Sequence, residues 1–203
     1  MRTLIIGDVH GCLRELELLL EKVGFSLGQD RLIFVGDLIN KGPNSLGVLQ
    51  KVYDLKAEVV RGNHEHALIQ SKTTPYPREL VSWIKTWPYF IDEKDFMVIH
   101  GGIIPGHHPS ESDPSVFTRL RTWNPKTMSP GKYDDPPWFD FYHDKKLIVF
   151  GHWAAKGLIK RDNVIGIDSG CVYGRQLTCL ILPGKQVVQV DALKCYEDIV
   201  IRK

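Results

Sequence analysis

Short apolar runs alternate with amphipathic segments over the first third of the chain. The apolar runs lie at 3–6, 32–35 and 59–60, and each stops at a polar stretch that contains glycine. Between them, apolar residues recur every three or four positions, as on one face of a helix, at Leu13, Leu16, Leu20 and Val23 and at Leu46, Leu49 and Val52. Asn44 or Ser45 is placed to cap the second helix. This order of strand, loop and helix predicts parallel α/β units.

The pattern after residue 70 is less regular. A short helix is predicted over 78–85, and two apolar runs at 89–92 and 96–100 predict a hairpin. Further strands are predicted at 147–150, 164–167, 177–182 and 187–190. Residues 103–140 are rich in Pro, Ser, Asp and Trp, and 117–121 is their only helix-like piece. We therefore expect 103–146 to form an irregular cap or loop rather than a second core.

Length, charge and cysteine spacing narrow the class of protein. A chain of 203 residues suits a single domain spanning 1–203. A net charge of +2 is too small to indicate nucleic-acid or membrane binding, and no apolar run approaches the length of a membrane span. The N-terminus has no leader pattern, so we expect a cytoplasmic protein. The four cysteines lack CxxC spacing and are expected to be buried free thiols.

Polar residues follow five predicted strands at the point where each one ends. The clusters are Gly7–Gly11, Gly36-Asp37, Gly62–Glu65, His100–Gly102 and Gly151-His152. The carboxyl ends of strands form the ligand-binding edge of an α/β sheet, so we expect their side chains to converge. Carboxylate, imidazole and amide oxygen together suit divalent metals such as manganese, iron or zinc, and two such metals can share a carboxylate and clamp a phosphoryl group.

The ordered motifs GDVHG, GDLINKGP, GNHE, HGG and GHWA resemble those of the calcineurin-like metallophosphoesterases, in particular the phosphoprotein-phosphatase branch. The resemblance covers residues 4 to about 182. It implies an α/β sandwich of two β-sheets flanked by helices. It also implies two divalent metal ions, manganese first, with iron, zinc, cobalt or magnesium as alternatives.

The resemblance also implies a role for each polar residue at the strand ends. Asp8 and His10 would hold the first metal, and Asp37 would bridge the two metals. The second metal would be held by Asn63, His100 and His152, and His64 would be the general acid. Hydroxide would attack a metal-bridging phosphate in line.

Two sub-branches compete for the substrate assignment. Residues 42–49, 117–121, 150–154 and 167–180 resemble the symmetrical diadenosine tetraphosphatases. That resemblance implies cleavage of diadenosine tetraphosphate to nucleoside diphosphates, and the alternative is a serine/threonine or broad phosphoprotein phosphatase. A metal-dependent binding module with little turnover is less favoured, because the presumed acid His64 is present.

The residues at 40 and 41 bear on this choice. Phosphoprotein phosphatases carry Asp where this chain has Asn40, and both sub-branches usually carry Arg where it has Lys41. A carboxylate partner would stabilise a histidine cation, which an alkoxide leaving group needs and a nucleotide phosphate does not. Asn40 therefore favours a phosphoanhydride substrate. Lys41 is interpreted as a phosphate contact or as part of a surface turn.

Other candidate substrate contacts are less specific. Arg119 and Arg121 would offset phosphate charge, together or singly, unless they lie on a solvated helix face. Trp123 and Trp153 are candidates to stack a nucleobase, although core packing is the favoured interpretation. The remaining histidines are interpreted as surface or packing residues: His66, His107, His108 and His143. Bacterial tetraphosphatases are longer between HGG and GHWA, so the site could also admit an RNA 5′ end or a phosphoprotein loop.

Overall fold

Twelve strands and five α-helices make up the chain in the computed structural model, which describes residues 1–198. The strands are β1 (Thr3–Ile6), β2 (Arg31–Phe34), β3 (Glu58–Val59), β4 (Phe90–Asp92), β5 (Phe96–Ile99), β6 (Trp123–Asn124), β7 (Ser129–Pro130), β8 (Leu147–Phe150), β9 (Ile159–Lys160), β10 (Val164–Gly166), β11 (Gln176–Leu182) and β12 (Gln186–Asp191). The helices are α1 (Leu13–Lys22), α2 (Ser45–Asp54), α3 (Asn63–Gln70), α4 (Arg78–Ile84) and α5 (Pro114–Phe117).

The strands form two five-stranded sheets and one small hairpin. The first sheet has the order β12-β11-β1-β2-β3, and the second has the order β4-β5-β8-β10-β9. Each sheet contains three neighbouring parallel strands: β1, β2 and β3 in the first, and β5, β8 and β10 in the second. Antiparallel strands complete both edges of the second sheet and one edge of the first. The predicted α/β sandwich is confirmed.

A layer of aliphatic side chains fills the space between the two sheets. Ile5 is paired with Ile33 on one side and with Leu180 on the other, and all three belong to this layer. Val149 occupies the same place in the second sheet. Side chains of a strand point to alternate faces, so Leu4, next to Ile5, packs on the helical side instead. This alternation fixes the register that brings the strand ends of both sheets to one edge.

Helices cover the outer face of the first sheet. Leu16 of α1 and Leu49 of α2 are fully buried there. Asn44 caps α2, since its side chain accepts a hydrogen bond from the Gly47 amide at 2.9 Å. Leu46, which was predicted to lie on the buried face, is exposed, and Val48 is buried in its place.

The outer face of the second sheet is covered by the segment that the sequence left irregular. Buried side chains of this segment pack on Ile99, Ile148 and Phe150 of the sheet. They are Ile103, Phe117, Leu120, Trp123, Trp138 and Phe139. The helix predicted over 117–121 is wrong in position, because α5 ends at Phe117 after Asp113 caps it. The sequence 118–121 is instead an irregular connection that buries Leu120 and leaves Arg119 and Arg121 exposed.

The cysteine prediction holds in part. Cys12, Cys171 and Cys179 are buried free thiols, but Cys195 is exposed, because it lies in the C-terminal segment that follows β12. Within residues 1–198, no helix combines the length and the apolar character that a membrane span requires. The single-domain assignment over 1–203 stays a prediction, since 199–203 lie outside the described residues.

Candidate metal centre

The polar strand ends of both sheets meet in one buried cluster. Asp8 follows β1 and Asp37 follows β2, whereas His100 follows β5 and His152 follows β8. Two triads of ligand-capable atoms, each with all its members within 4.8 Å of one another, share Asp37. The triads are His10, Asp37 and His64, and Asp37, His100 and His152. The convergence predicted from the strand ends is therefore present in the structure.

Asp37 lies between the two triads. Its Oδ2 atom is 3.3 Å from His100 Nε2, 3.6 Å from His10 Nε2 and 3.9 Å from His64 Nε2. Asp8 is buried beside it, and its two carboxylate oxygens accept from the His152 amide at 3.2 and 3.1 Å. A carboxylate placed between two groups of imidazoles has the position that a bridging ligand requires.

Backbone carbonyls orient two of the imidazoles. His10 Nδ1 lies 2.9 Å from the Ile39 carbonyl oxygen, and His100 Nδ1 lies 2.8 Å from the Val35 carbonyl oxygen. A carbonyl only accepts, so Nδ1 carries a proton in each ring and Nε2 faces the cluster. Nε2 is therefore the atom that each ring, when neutral, would offer to a metal.

The surroundings of the Asn63 amide show that the cluster fits a cation. One terminal atom of its amide lies 3.1 Å from His100 Nε2, 3.3 Å from Asp37 Oδ2 and 2.7 Å from His152 Nδ1. If this atom is the amide nitrogen, it donates hydrogen bonds to the three neighbours. If it is the amide oxygen, its lone pairs face those of the neighbours. The second arrangement needs a positive charge between these atoms, and amide oxygen, imidazole nitrogen and carboxylate oxygen are ligands that suit a divalent metal. The residues therefore fit the metal ions that the sequence predicts.

Burial and mutual repulsion set the charges in this cluster. Burial raises the pKa of Asp8 well above its usual range, and the nearby carboxylates Asp168 and Asp37 raise it further. Burial alone would lower the pKa of His100, but Asp37 outweighs it and raises that pKa to about 10. Burial lowers the pKa of His10 to about 3, so this ring is neutral. A bound cation would offset the repulsion among the carboxylates.

The loops at the centre have a strained backbone. Eight non-glycine residues among 1–198 have a positive φ, and five of them belong to the cluster or its rim. The five are His10 (45°), Asp37 (51°), Asn40 (70°), Lys41 (67°) and His152 (66°). Left-handed conformations disfavour side chains, and residues held in them concentrate at functional sites.

Two glycines make room for the carboxylates. A Cβ atom on Gly62 would lie 2.2 Å from Asp37 Oδ1, and a Cβ atom on Gly151 would lie 2.1 Å from Asp8 Oδ1. No side chain can occupy either position without displacing a carboxylate. Each of these two glycines thus leaves space for a carboxylate from a neighbouring segment of the chain, in addition to permitting a turn.

A cavity of about 660 Å³ opens over the cluster. Lys41, Arg119 and Arg121 line it, as do Lys132 and Tyr173. Lys41 Nζ lies 3.1 Å from His10 Nε2 and 5.2 Å from the centre of the Tyr173 ring. The cavity therefore combines a floor of carboxylates and imidazoles with walls that carry cationic side chains, which suits a polyanionic ligand.

Comparison with known proteins assigns the fold and its chemistry. The sequence profile of the calcineurin-like phosphoesterases matches residues 1–188. The chain belongs to this family. It is thus a metal-dependent hydrolase, and the α/β sandwich described above is the phosphoesterase fold.

Individual relatives of this phosphoesterase are named for one activity. A symmetrical bis(5′-nucleosyl)-tetraphosphatase of Vibrio parahaemolyticus is 31% identical over 271 residues, with 95% of this chain and 100% of that protein covered. The Methylobacillus flagellatus protein of the same name is 29% identical, with 94% and 95% covered. Both alignments exceed the 203 residues of this chain, so these relatives carry insertions that the chain lacks.

Solved structures agree with this grouping. A crystal structure assigned by inference as a diadenosine tetraphosphatase is 32% identical, has a TM-score of 0.87, and covers 94% of this chain and 93% of its own. A protein serine/threonine phosphatase from Saccharomyces cerevisiae covers 100% of this chain and 81% of its own, with a TM-score of 0.63 and 15% identity. The second shares the phosphoesterase fold alone.

Asn40 is the partner of His64 in this phosphoesterase. Asn40 Nδ2 lies 2.9 Å from His64 Nδ1, and the Tyr76 hydroxyl donates to Asn40 Oδ1 at 3.4 Å. In this orientation the amide nitrogen donates, so His64 Nδ1 accepts and the proton of the neutral ring lies on Nε2.

Sequence reasoning assigned no role to two carboxylates at this centre. Glu65 is fully buried and accepts from the amides of Asp37 and Leu38, each at 2.9 Å, and from that of Gly62 at 3.1 Å. Asp168 lines the cavity, and burial raises its pKa to about 6. Asp168 follows the apolar run 164–167 as the predicted ligands follow theirs, so the same strand-end signal could have found it.

The remaining candidates are resolved by burial. Trp123 and Trp153 are buried in the core of the second sheet, as the favoured interpretation predicted, and Trp153 also borders the cavity. His66 is buried and its Nδ1 lies 2.7 Å from the Tyr89 hydroxyl, which makes it a packing residue. The three other histidines are exposed: His107, His108 and His143.

Proposed function

We propose that this phosphoesterase hydrolyses dinucleoside tetraphosphates, diadenosine tetraphosphate first among them, to two nucleoside diphosphates. The relatives that share about 30% of its sequence are named for this activity. The observation that carries the proposal within the site is the Asn40 amide on His64, which the structure places at 2.9 Å.

Two divalent ions, manganese first, would be held by the buried cluster. Asp8 and His10 would hold the first, Asp37 would bridge, and Asn63, His100 and His152 would hold the second. The support is the fit of the donor set, with Asp37 Oδ2 between the Nε2 atoms of His10 and His100. When bound, such ions polarise a phosphoryl oxygen and lower the pKa of water.

The His64–Asn40 pair selects the leaving group. The neutral ring directs its Nε2 proton toward the side of Asp37, from which Nε2 is 3.9 Å distant. A neutral imidazole is a weak proton donor, which suffices for a nucleoside diphosphate because its last ionisation lies near pH ~6. A serine alkoxide would need a stronger acid, of the kind that a carboxylate partner creates. The pair therefore favours anhydride cleavage over ester cleavage.

Cationic side chains bind the polyphosphate. Lys41, Arg119, Arg121 and Lys132 line the cavity from separate segments of the chain, so phosphates beyond the one attacked also meet positive charge. Arg121 donates through Nη2 to the His152 carbonyl at 3.2 Å, which anchors it beside the metal cluster. Both arginines of the FTRLR run would thus act on substrate, as a pair rather than singly.

A substrate panel tests this proposal. Enzyme loaded with Mn²⁺ is given diadenosine tetraphosphate, triphosphorylated or capped RNA, and a phosphoserine peptide, and products are separated by chromatography. We expect the highest kcat/KM for the dinucleotide, with ADP as the sole product. A preference for the peptide, or products of unequal phosphate number, contradicts the proposal.

Matched variants separate catalysis from metal binding. His64→Asn should lower kcat by about 10²-fold or more while both metals stay bound. His66→Asn, two residues along the same helix and outside the cluster, serves as the control. Loss of metal in His64→Asn would mean that His64 is a ligand rather than the acid.

A further inference from the structure

A second group of metal-ligating side chains lies outside the catalytic cluster. Cys12, Glu15 and Cys171 are buried, and two sulfur atoms and one carboxylate oxygen lie within 4.8 Å of one another. Cys12 immediately precedes α1, Glu15 lies in the first turn of this helix, and Cys171 lies in the turn between β10 and β11. The two cysteines are far apart in sequence, so no spacing motif reveals them.

Glu15 supplies an independent sign of a missing ligand. One carboxylate oxygen, Oε1, accepts from the Leu193 amide at 3.0 Å and from the Tyr196 hydroxyl at 2.8 Å. The other, Oε2, is buried without any hydrogen-bond partner. Within residues 1–198 no lysine, arginine or histidine forms an ion pair with Glu15. A buried carboxylate oxygen in this state lacks a positive partner.

We propose that Cys12, Glu15 and Cys171 bind a thiophilic divalent cation, with zinc as the metal that the donors suit best. Two thiolates and one carboxylate are donors that zinc accepts in tetrahedral sites, and the fourth position would fall to water or a main-chain oxygen. Binding releases two thiol protons. The catalytic cluster contains no sulfur, so the two sites differ in the metals they prefer.

Such a site would stabilise the segments that carry residues of the catalytic cluster. Cys12 lies two residues after His10, and Cys171 lies three residues after Asp168, which lines the cavity. Tyr196 and Leu193 hold the carboxylate from the C-terminal segment, as outer partners of a metal ligand do. One ion would thus join the first catalytic loop, the turn after β10 and the segment that follows β12.

Cobalt substitution tests the site independently of hydrolysis. Full-length protein kept reduced with a phosphine is stripped with chelator and titrated with Co²⁺, and thiolate-to-cobalt charge transfer is read in the near ultraviolet. We expect this band in the wild type and in Cys179→Ser, whose buried thiol lies outside the group. Cys12→Ser/Cys171→Ser should lose the band and one equivalent of bound zinc per chain. The catalytic ligands give no thiolate band, so the result does not depend on the proposed function.

Outcomes in the wild type decide the proposal even if the double variant fails to fold. A wild type without the band, with all thiols reactive in denaturant, means ordinary buried thiols and overturns it. In a sample purified without reductant, two thiols that react only after reduction mean a disulfide and overturn it as well. A band that persists in a folded double variant excludes these residues as ligands.

Discussion

At the scale of single residues, the loops of the candidate metal centre place polar side chains where glycine would be less strained. Lys41 has a φ of 67° and Asn40 a φ of 70°. Asparagine adopts this conformation more easily than most residues, whereas lysine has no local compensation. Retaining lysine there is consistent with a task for its ammonium group, which lies 3.1 Å from His10 Nε2.

Two substitutions of Lys41 separate its function from its strain. Lys41→Ala and Lys41→Gly both remove the ammonium, so each should raise KM for the tetraphosphate several-fold. Only glycine relieves the left-handed backbone, so Lys41→Gly should exceed Lys41→Ala in free energy of unfolding by about 1 kcal/mol. Urea denaturation and steady-state kinetics measure the two effects. Unchanged KM values would show that Lys41 belongs to a surface turn.

Replacing Asn40 by aspartate should change the substrate preference. A carboxylate would accept from His64 Nδ1–H and stabilise the cation, making His64 a better acid. We expect Asn40→Asp to raise kcat/KM for a phosphoserine peptide relative to diadenosine tetraphosphate by about 10-fold, which is smaller than a full general acid effect because the acid itself is retained. Asn44→Asp is the control, since it keeps the cap of α2 and is not a partner of His64. An unchanged ratio of the two kcat/KM values would show that the Asn40–His64 pair does not determine substrate preference.

At the scale of elements, the loops after β2 and β3 act as one unit because Glu65 binds both. Its carboxylate accepts from two amides of the first loop and one of the second. A glutamine there could accept on one side only and would direct its own donor at backbone N–H groups.

Glu65→Gln should therefore lower the free energy of unfolding by about 1–3 kcal/mol, the cost of buried donors left without an acceptor. It should also weaken metal binding, because Asp37 lies on the loop that loses its anchor. Chemical denaturation and metal titration measure these effects. Glu79→Gln, an exposed change in the first turn of α4, is the matched control. Equal stability of the two variants would contradict the anchoring role.

Sequence pattern predicts the elements that repeat a simple period and fails where packing is irregular. The run 147–150 predicts β8 at its observed bounds, and Pro77 predicts the start of α4. The segment after His100 has no period, because Leu120, Trp123 and Trp138 each fill separate gaps on the second sheet. The spacing of these residues depends on the shape of the second sheet, which cannot be predicted from the sequence of the segment alone.

Some residues of the candidate site can be predicted from sequence, and others cannot. Asp37 and His100 each follow an apolar strand beside glycine, so sequence alone brings them together. Glu65 belongs to a strand-end cluster, but its position in the first turn of α3 does not reveal that it binds two loops, and Cys171 lies in a turn that no strand end marks. Their partners come from distant segments, and only the folded chain shows them.

At the scale of the whole molecule, the candidate metal centre lies where the two sheets meet. Asp8 and Asp37 come from the first sheet, and His100 and His152 come from the second. Without a cation, burial and then repulsion from the other carboxylates at this junction raise the pKa of Asp8. Bound metal would remove that repulsion and stabilise the packing of one sheet on the other.

Metal removal should therefore destabilise the fold as a whole. At a free Mn²⁺ concentration of 100 times Kd, binding to the native state alone adds about 2.7 kcal/mol per site to the free energy of unfolding. We expect chelator to lower the Tm and Mn²⁺ to restore it, as followed by calorimetry. His100→Ala should lose most of the Mn²⁺-dependent rise, whereas His108→Ala, an exposed histidine outside the cluster, should keep it. The same Tm in chelator and in saturating Mn²⁺ would mean that the junction between the sheets holds no metal.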